Sequence, residues 1–239
     1  MSGTAIESEV RKFGALAARW WDPDGPMKPL HRMNPLRTGW IARRIARRHG
    51  RQGTDLSGLT LLDVGCGAGL ASEAFARMGA EVTGVEAAAE ALEAARVHAA
   101  AGGLRIDYRI GGPEDLAAEG ARFDVVVALE VIEHVGDHRR FLAALAACLA
   151  PGGLVFLSTL NRTPRSFLMA KVGAEYILRL LPVGTHDWRM FVTPGELGAG
   201  LRAAGLRVTD LAGMTMDPFS GRWREGQDLG VNYIAMAER

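Results

Sequence analysis

Three side chains of proton-transferring or metal-ligating type fall close together at Glu130, Glu133 and His134. At i, i+3 and i+4 they share one face if the turn carrying them is helical. An imidazole titrates near working pH and suits a general base. Alternatively, the three groups hold a divalent cation that lowers the pKa of a bound hydroxyl. A third reading leaves the Glu-His pair as scaffold. A second cluster is Gly65-x-Gly67-x-Gly69, preceded by Asp63. Glycines placed directly after a strand let the backbone turn tightly into a helix and approach a ligand closely. Glu86 follows 21 positions after Gly65, where a carboxylate would accept both hydroxyls of a ribose; its other reading is a solvated helix cap. Cys66, inside the loop, reads as a small packing residue rather than a nucleophile.

The elements that must position these groups alternate. Leu59–Val64 reads as a first strand, followed by a helix from Leu70 to Met78 that stops at Gly79. Strands are expected at 81–86, 104–110, 123–129 and 154–159, with an alanine-rich helix at 88–101 between the second and third. Val125-Val126-Val127 is the apolar run of a strand buried on both faces. This alternation implies right-handed crossovers and a mostly parallel sheet, with helices on both faces. After a helix at 194–204, two further strands at 206–211 and 231–237 complete seven and should pair as an antiparallel edge hairpin. Glu130 to His134 would then emerge at the carboxyl end of the fourth strand, where doubly wound sheets bind ligands. Residues 1–58 read as a helical N-terminal extension and 161–192 as an insertion after strand five, all within one domain spanning 1–239.

Composition narrows the function. The chain has 239 residues, and 28 basic against 27 acidic side chains leave a formal charge of +1. That balance lacks the basic surplus of a protein held by nucleic-acid phosphates. Cys66 and Cys148 form neither a disulfide framework nor a zinc site, which fits a reducing cytoplasm. Phe141 to Leu160 carries no charge and has the length of a membrane span. Pro151-Gly152-Gly153 divides it, so helix, turn and strand are expected there.

The glycine spacing lacks the third glycine of the dinucleotide fingerprint, since position 70 is leucine. It resembles motif I of class I S-adenosylmethionine-dependent methyltransferases. More specific segments lie outside that core: Arg19-Trp20-Trp21-Asp22, the run Lys28 to Arg37, Ser158 to Arg162, Val172 to Arg179, Gly184 to Asp187 and Val231-Asn232-Tyr233. Together they resemble the ubiquinone-biosynthesis O-methyltransferases over about residues 13 to 237. The resemblance implies a Rossmann-like class I methyltransferase fold and methylation of hydroxyls on polyprenylated phenol and catechol precursors, at two pathway steps. It places cofactor contacts on Arg37, Gly65, Glu86 and Leu129, with Arg37 on the methionine carboxylate and Leu129 along the adenine. Asp63, Gly67 and Gly69 complete that set. Glu86 departs from the aspartate frequent in the family. The family's Mg²⁺ or Zn²⁺ cluster falls on Glu130, Glu133 and His134.

The chemistry requires a phenolate aligned with the methyl group. A phenolic pKa near 10 leaves on the order of one molecule in a thousand ionised at pH 7, and a metal or His134 must make up the deficit. Within the insertion, Leu168, Val172, Tyr176 and Leu180 form one helical stripe beside Lys171, Glu175 and Arg179. Residues 164–181 therefore suit a lid, or contact with an anionic membrane surface. The second reading places the enzyme on the inner face of the cytoplasmic membrane, with a complex of pathway enzymes as a further partner. The competing functions are methylation of another small phenol, and cofactor binding without catalysis.

Overall fold

In the computed structural model, residues 3–168, 188–217 and 220–239 are described. The N-terminal extension is helical, as expected: α1 (Glu7–Leu16) leads through a short 3₁₀ turn at Ala17–Arg19 into α2 (Lys28–Arg48). The alternating core follows as β1 (Thr60–Val64), α3 (Leu70–Arg77), β2 (Glu81–Glu86), α4 (Ala89–Ala101), β3 (Asp107–Ile110), α5 (Pro113–Ala118), β4 (Phe123–Leu129), α6 (His138–Ala147) and β5 (Leu149–Leu160). A single turn, α7 (Pro164–Ser166), precedes the undescribed part of the insertion. The chain ends with α8 (Pro194–Ala203), β6 (Arg207–Met216), β7 (Trp223–Gly226) and β8 (Asn232–Glu238).

The eight strands form one sheet in the order β3-β2-β1-β4-β5-β8-β6-β7. The first five are parallel, and β8 runs antiparallel to both β5 and β6. Two expectations are corrected. The sheet has eight strands rather than seven, because Trp223–Gly226 adds an outer strand on β6. Its sequence Trp-Arg-Glu-Gly has no apolar run to betray it. Strand five begins at Leu149, not Leu154. Pro151-Gly152-Gly153 is absorbed as a bulge, with Phe123 facing Leu149 and Val125 facing Leu154.

Alternation along the central strands splits the core between the two faces. Val125, Val127, Phe156 and Ile234 pack with Trp40, Ile41, Ile45 of α2 and Phe75 of α3. Val126, Ala128, Val155, Leu157 and Tyr233 pack with Phe141, Leu145 of α6 and Leu197, Leu201 of α8. Because β1 lies between β2 and β4, its carboxyl end marks the point where strand order reverses, the usual ligand crevice of such sheets. No helix among the described residues is long and apolar enough to cross a membrane.

Candidate active site

A cavity of about 780 Å³ opens over the carboxyl ends of β1, β2 and β4, within the range of small-molecule sites. Its floor is the glycine loop. Gly65, Gly67 and Gly69 all have positive φ, a region costly for side chains bearing a Cβ. Space is closed as well as conformation. A Cβ on Gly65 would lie 2.6 Å from Cγ2 of Val131, and one on Gly67 would strike the Trp20 ring. Glu86, at the end of β2, accepts hydrogen bonds from the N–H groups of Gly67 at 3.0 Å and Ala88 at 2.9 Å. It thus ties the turn before α4 to the glycine loop and also lines the cavity, and each carboxylate oxygen keeps a lone pair for a further donor. Burial raises its pKa, opposed by those two backbone bonds.

Arg37 enters from α2 and is 4% exposed. Its Nε donates to Asn34 Oδ1 at 3.1 Å, and Asn34 Nδ2 in turn donates to the carbonyl of Leu70. Arg37 Nη1 is buried without a partner among the described residues. Burial lowers the guanidinium pKa, while the Glu130 and Asp63 carboxylates act against it. An unpaired guanidinium nitrogen beside a cavity is the group an incoming carboxylate would satisfy. Asp63 accepts from Ser72 Oγ at 2.6 Å, and burial pushes its carboxyl up to about 6. Leu129, at the last position of β4, lines the same cavity. The Cys66 thiol is buried, which pushes its pKa well up and suits packing rather than attack.

The Glu130–His134 segment departs from the expected helical face. Glu130 adopts φ +56°, a conformation that costs a non-glycine residue free energy and persists where its surroundings impose it. Ser158 imposes it here. The Glu130 N–H donates to the Ser158 carbonyl at 3.0 Å, and Ser158 Oγ donates to Glu130 Oε1 at 2.6 Å. The helical turn starts only at Ile132. Glu133 lies against Glu130 and accepts from Thr159 Oγ1 at 2.9 Å; burial, then the Glu130 charge, raises its pKa well above normal. The Glu133 carboxyl therefore holds its proton more tightly than a free one does. His134 turns elsewhere: its Nδ1 lies 2.8 Å from Glu9 Oε2 of α1, with Phe13 edge-on to the ring. The His134 hydrogen bond lowers the Glu9 pKa, against its burial.

The three groups thus have three different partners, and among the described residues no cluster of three His, Cys, Asp or Glu is gathered to hold a metal ion. The expected Mg²⁺ or Zn²⁺ ligand set of Glu130, Glu133 and His134 is not assembled by this geometry. The arrangement that is formed, a carboxylate holding Nδ1 of an imidazole, fixes the ring and leaves Nε2 for proton transfer.

Sequence reasoning gave no role to Glu9, Trp20 or Trp21. Trp20 and Trp21 strap the N-terminal extension over the glycine loop. Trp21 Nε1 donates to the Ala68 carbonyl at 2.9 Å, and the Trp21 ring stacks on His98 with centroids 3.4 Å apart. His98 is itself held by the buried Glu73 at 2.6 Å. The adjacent tryptophans signalled something specific, but the loop they cover lies some 47 residues away. Of the insertion, Val172 to Arg179 and Gly184 to Asp187 lie outside the described residues.

Comparison with known proteins agrees with this arrangement. A family model described as a methyltransferase domain matches residues 37–211. The fold is shared with magnesium protoporphyrin IX methyltransferase of Synechocystis PCC 6803 in its SAM-bound structure, at TM-score 0.63 and 19% identity over 100% of both chains. Similar too is an S-adenosylmethionine-dependent methyltransferase of Aquifex aeolicus, at TM-score 0.62 and 15% identity, covering 96% of each chain. Curated relatives are much nearer. A ubiquinone biosynthesis O-methyltransferase of Methylobacterium sp. (strain 4-46) is 49% identical, covering 100% of this chain and 97% of that one. One of Cereibacter sphaeroides is 51% identical over 100% and 98%, and one of Xanthomonas euvesicatoria is 49% identical over 97% and 93%. Similarity of that extent, running through the N-terminal strap and the last strand as well as the core, shows that the chain belongs to the ubiquinone biosynthesis O-methyltransferase family.

Proposed function

We propose that this chain transfers methyl groups to ring hydroxyls of polyprenylated phenol and catechol intermediates of ubiquinone, at both O-methylation steps. The observation that carries the reading is the cavity itself: an unpaired buried guanidinium nitrogen, a glycine loop and a carboxylate line one side, and a carboxylate-held imidazole lines the other. S-adenosylmethionine, when bound, supplies a methyl group activated by the sulfonium. Arg37 would hold its carboxylate, Glu86 its ribose and Leu129 its adenine, with Asp63, Gly65, Gly67 and Gly69 shaping the loop beneath it. On the acceptor side His134 takes the phenolic proton at Nε2, and Glu9 keeps the ring in position and stabilises the imidazolium that forms. Glu130 and Glu133 wall the site.

The insertion carries the finer part of the proposal. Phe167 and Leu168 are exposed, 42% and 61% respectively, and follow closely in sequence on Arg165, which lines the cavity. Residues 164–181 would draw a water-insoluble tail from an anionic membrane surface. That places the enzyme peripherally on the cytoplasmic face, where a complex of pathway enzymes could gather. Incubating the purified chain with labelled S-adenosylmethionine and a short-prenyl catechol tests the activity. Transfer of label to the catechol supports it; label on unprenylated phenols alone favours another small phenol, and cofactor binding without product favours a non-catalytic domain.

A further inference from the structure

We infer that Asn232 is a specificity-determining residue that binds the ring hydroxyl not being methylated; this rests on the proposed reaction and deepens it. Asn232 opens β8, where register sets it opposite Leu160 of β5. It shares a sheet face with Ile234, which is paired with Ser158, the residue holding Glu130. Two strand residues, about 7 Å, therefore separate Asn232 from the Glu130 end of the cavity.

Its surroundings are apolar. Leu160, Met33, Met214 and Trp223 line the same cavity wall. Asn232 is 5% exposed, yet its Nδ2 meets only the thioether of Met33, at 3.8 Å, and its Oδ1 has no partner among the described residues. The two other buried asparagines differ: Asn34 donates to the Leu70 carbonyl and Asn161 to the Leu229 carbonyl, at 2.9 and 2.8 Å. A buried amide oxygen left without a donor is destabilising, and leucine would fill the place at lower cost. The missing partner must donate to Oδ1, and a neutral hydroxyl does so while also accepting from Nδ2 better than the Met33 thioether can. Trp223 Nε1, also buried and without a partner among the described residues, adds a second donor on the same wall. A neutral amide and an indole N–H in an apolar wall fit a phenolic oxygen of the aromatic head, not the hydrocarbon tail.

Sites built to bond a hydroxyl discriminate strongly against analogues that lack it. The test uses Asn232→Leu, with short-prenyl catechol as substrate. Two product-like inhibitors complete it: the prenylated 2-methoxyphenol, and the same molecule without its free hydroxyl. In wild type the free hydroxyl should tighten inhibition at least tenfold. In the variant that advantage should vanish, and kcat/KM for the catechol should fall ten- to a hundredfold, mainly through KM. S-adenosylmethionine affinity should be unchanged and the apparent Tm unchanged or higher. A retained inhibitor ratio overturns the assignment. So does a lowered Tm with both inhibitors weakened equally, because the amide is then structural. Should Asn232→Leu not fold, Asn232→Ala is read by the same ratio. If wild type methylates no prenylated catechol, the proposed function fails first and this assignment falls with it.

Discussion

The proposed cofactor wall takes most of its polar groups, Asp63, the glycine loop and Glu86, from one strand–helix–strand stretch, joined by Arg37 from α2 and Leu129 from β4. The acceptor wall instead takes Glu9 from α1, His134 from the turn after β4, Ser158 from β5 and Asn232 from β8. In the first wall the polar groups are bonded to nearby backbone and hydroxyls, such as Glu86 on Gly67 and Ala88. In the second they are held by elements far off along the chain, such as His134 by Glu9. A wall drawn mostly from one segment depends chiefly on local structure, whereas one made from four segments exists only once the sheet and the N-terminal extension have docked. Substitutions on the two sides should therefore separate into losses of binding and losses of turnover.

His134→Ala should give the largest effect, a fall in kcat of about a thousandfold, the range for losing a general base. Calorimetric affinity for S-adenosylmethionine should stay within twofold. Glu9→Gln, which removes the charge facing the imidazole while keeping its shape, should lower kcat in the same direction by less. Loss of affinity instead would place His134 on the cofactor side and blur the division.

Arg37→Met and Glu86→Ala should act on the opposite wall. Hydrogen bonds to charged groups contribute about 1.5–3 kcal/mol, so each variant should weaken cofactor binding roughly ten- to a hundredfold. Saturating cofactor should recover most of kcat. Unchanged affinity on calorimetry would remove the residue from the site.

A third effect concerns stability against pH, and touches neither binding nor turnover. Burial raises the Asp63 carboxyl from 3.8 to about 6, so the folded protein binds this proton more tightly than the unfolded chain does. Its contribution to stability is greatest at acid pH and is lost as pH rises from about 4 to 6, by on the order of 3 kcal/mol. Asp63→Asn should thus gain stability relative to wild type across that window and keep a constant difference above it. A difference independent of pH would mean that Asp63 is ionised throughout.

The same contrast explains what the sequence disclosed. The parallel core was legible from its apolar runs and glycine stops, and Gly65 to Gly69 with Glu86 was legible because the spacing is local. Glu130, Glu133 and His134 were recognised as a group, but their shared helical face was not realised. A left-handed Glu130 breaks the periodicity, and that conformation is set by Ser158, 28 residues away. Glu9 carried no local signal of the site, because its partner His134 lies far along the chain. Asn232 lay in a segment notable only for its resemblance to relatives; that its amide lacks partners becomes visible only when β8 meets β5 and α2.

Methyl transfer under saturating S-adenosylmethionine tests the division of labour most directly. Glu86→Ala and His134→Ala should be compared with wild type on a short-prenyl catechol, in single turnover, with the methylated product counted by mass spectrometry. The structure predicts that Glu86→Ala approaches the wild-type rate as cofactor is raised, while His134→Ala stays about a thousandfold slower at every concentration. Recovery of His134→Ala by added cofactor, or a wild-type rate in that variant without it, would contradict the account.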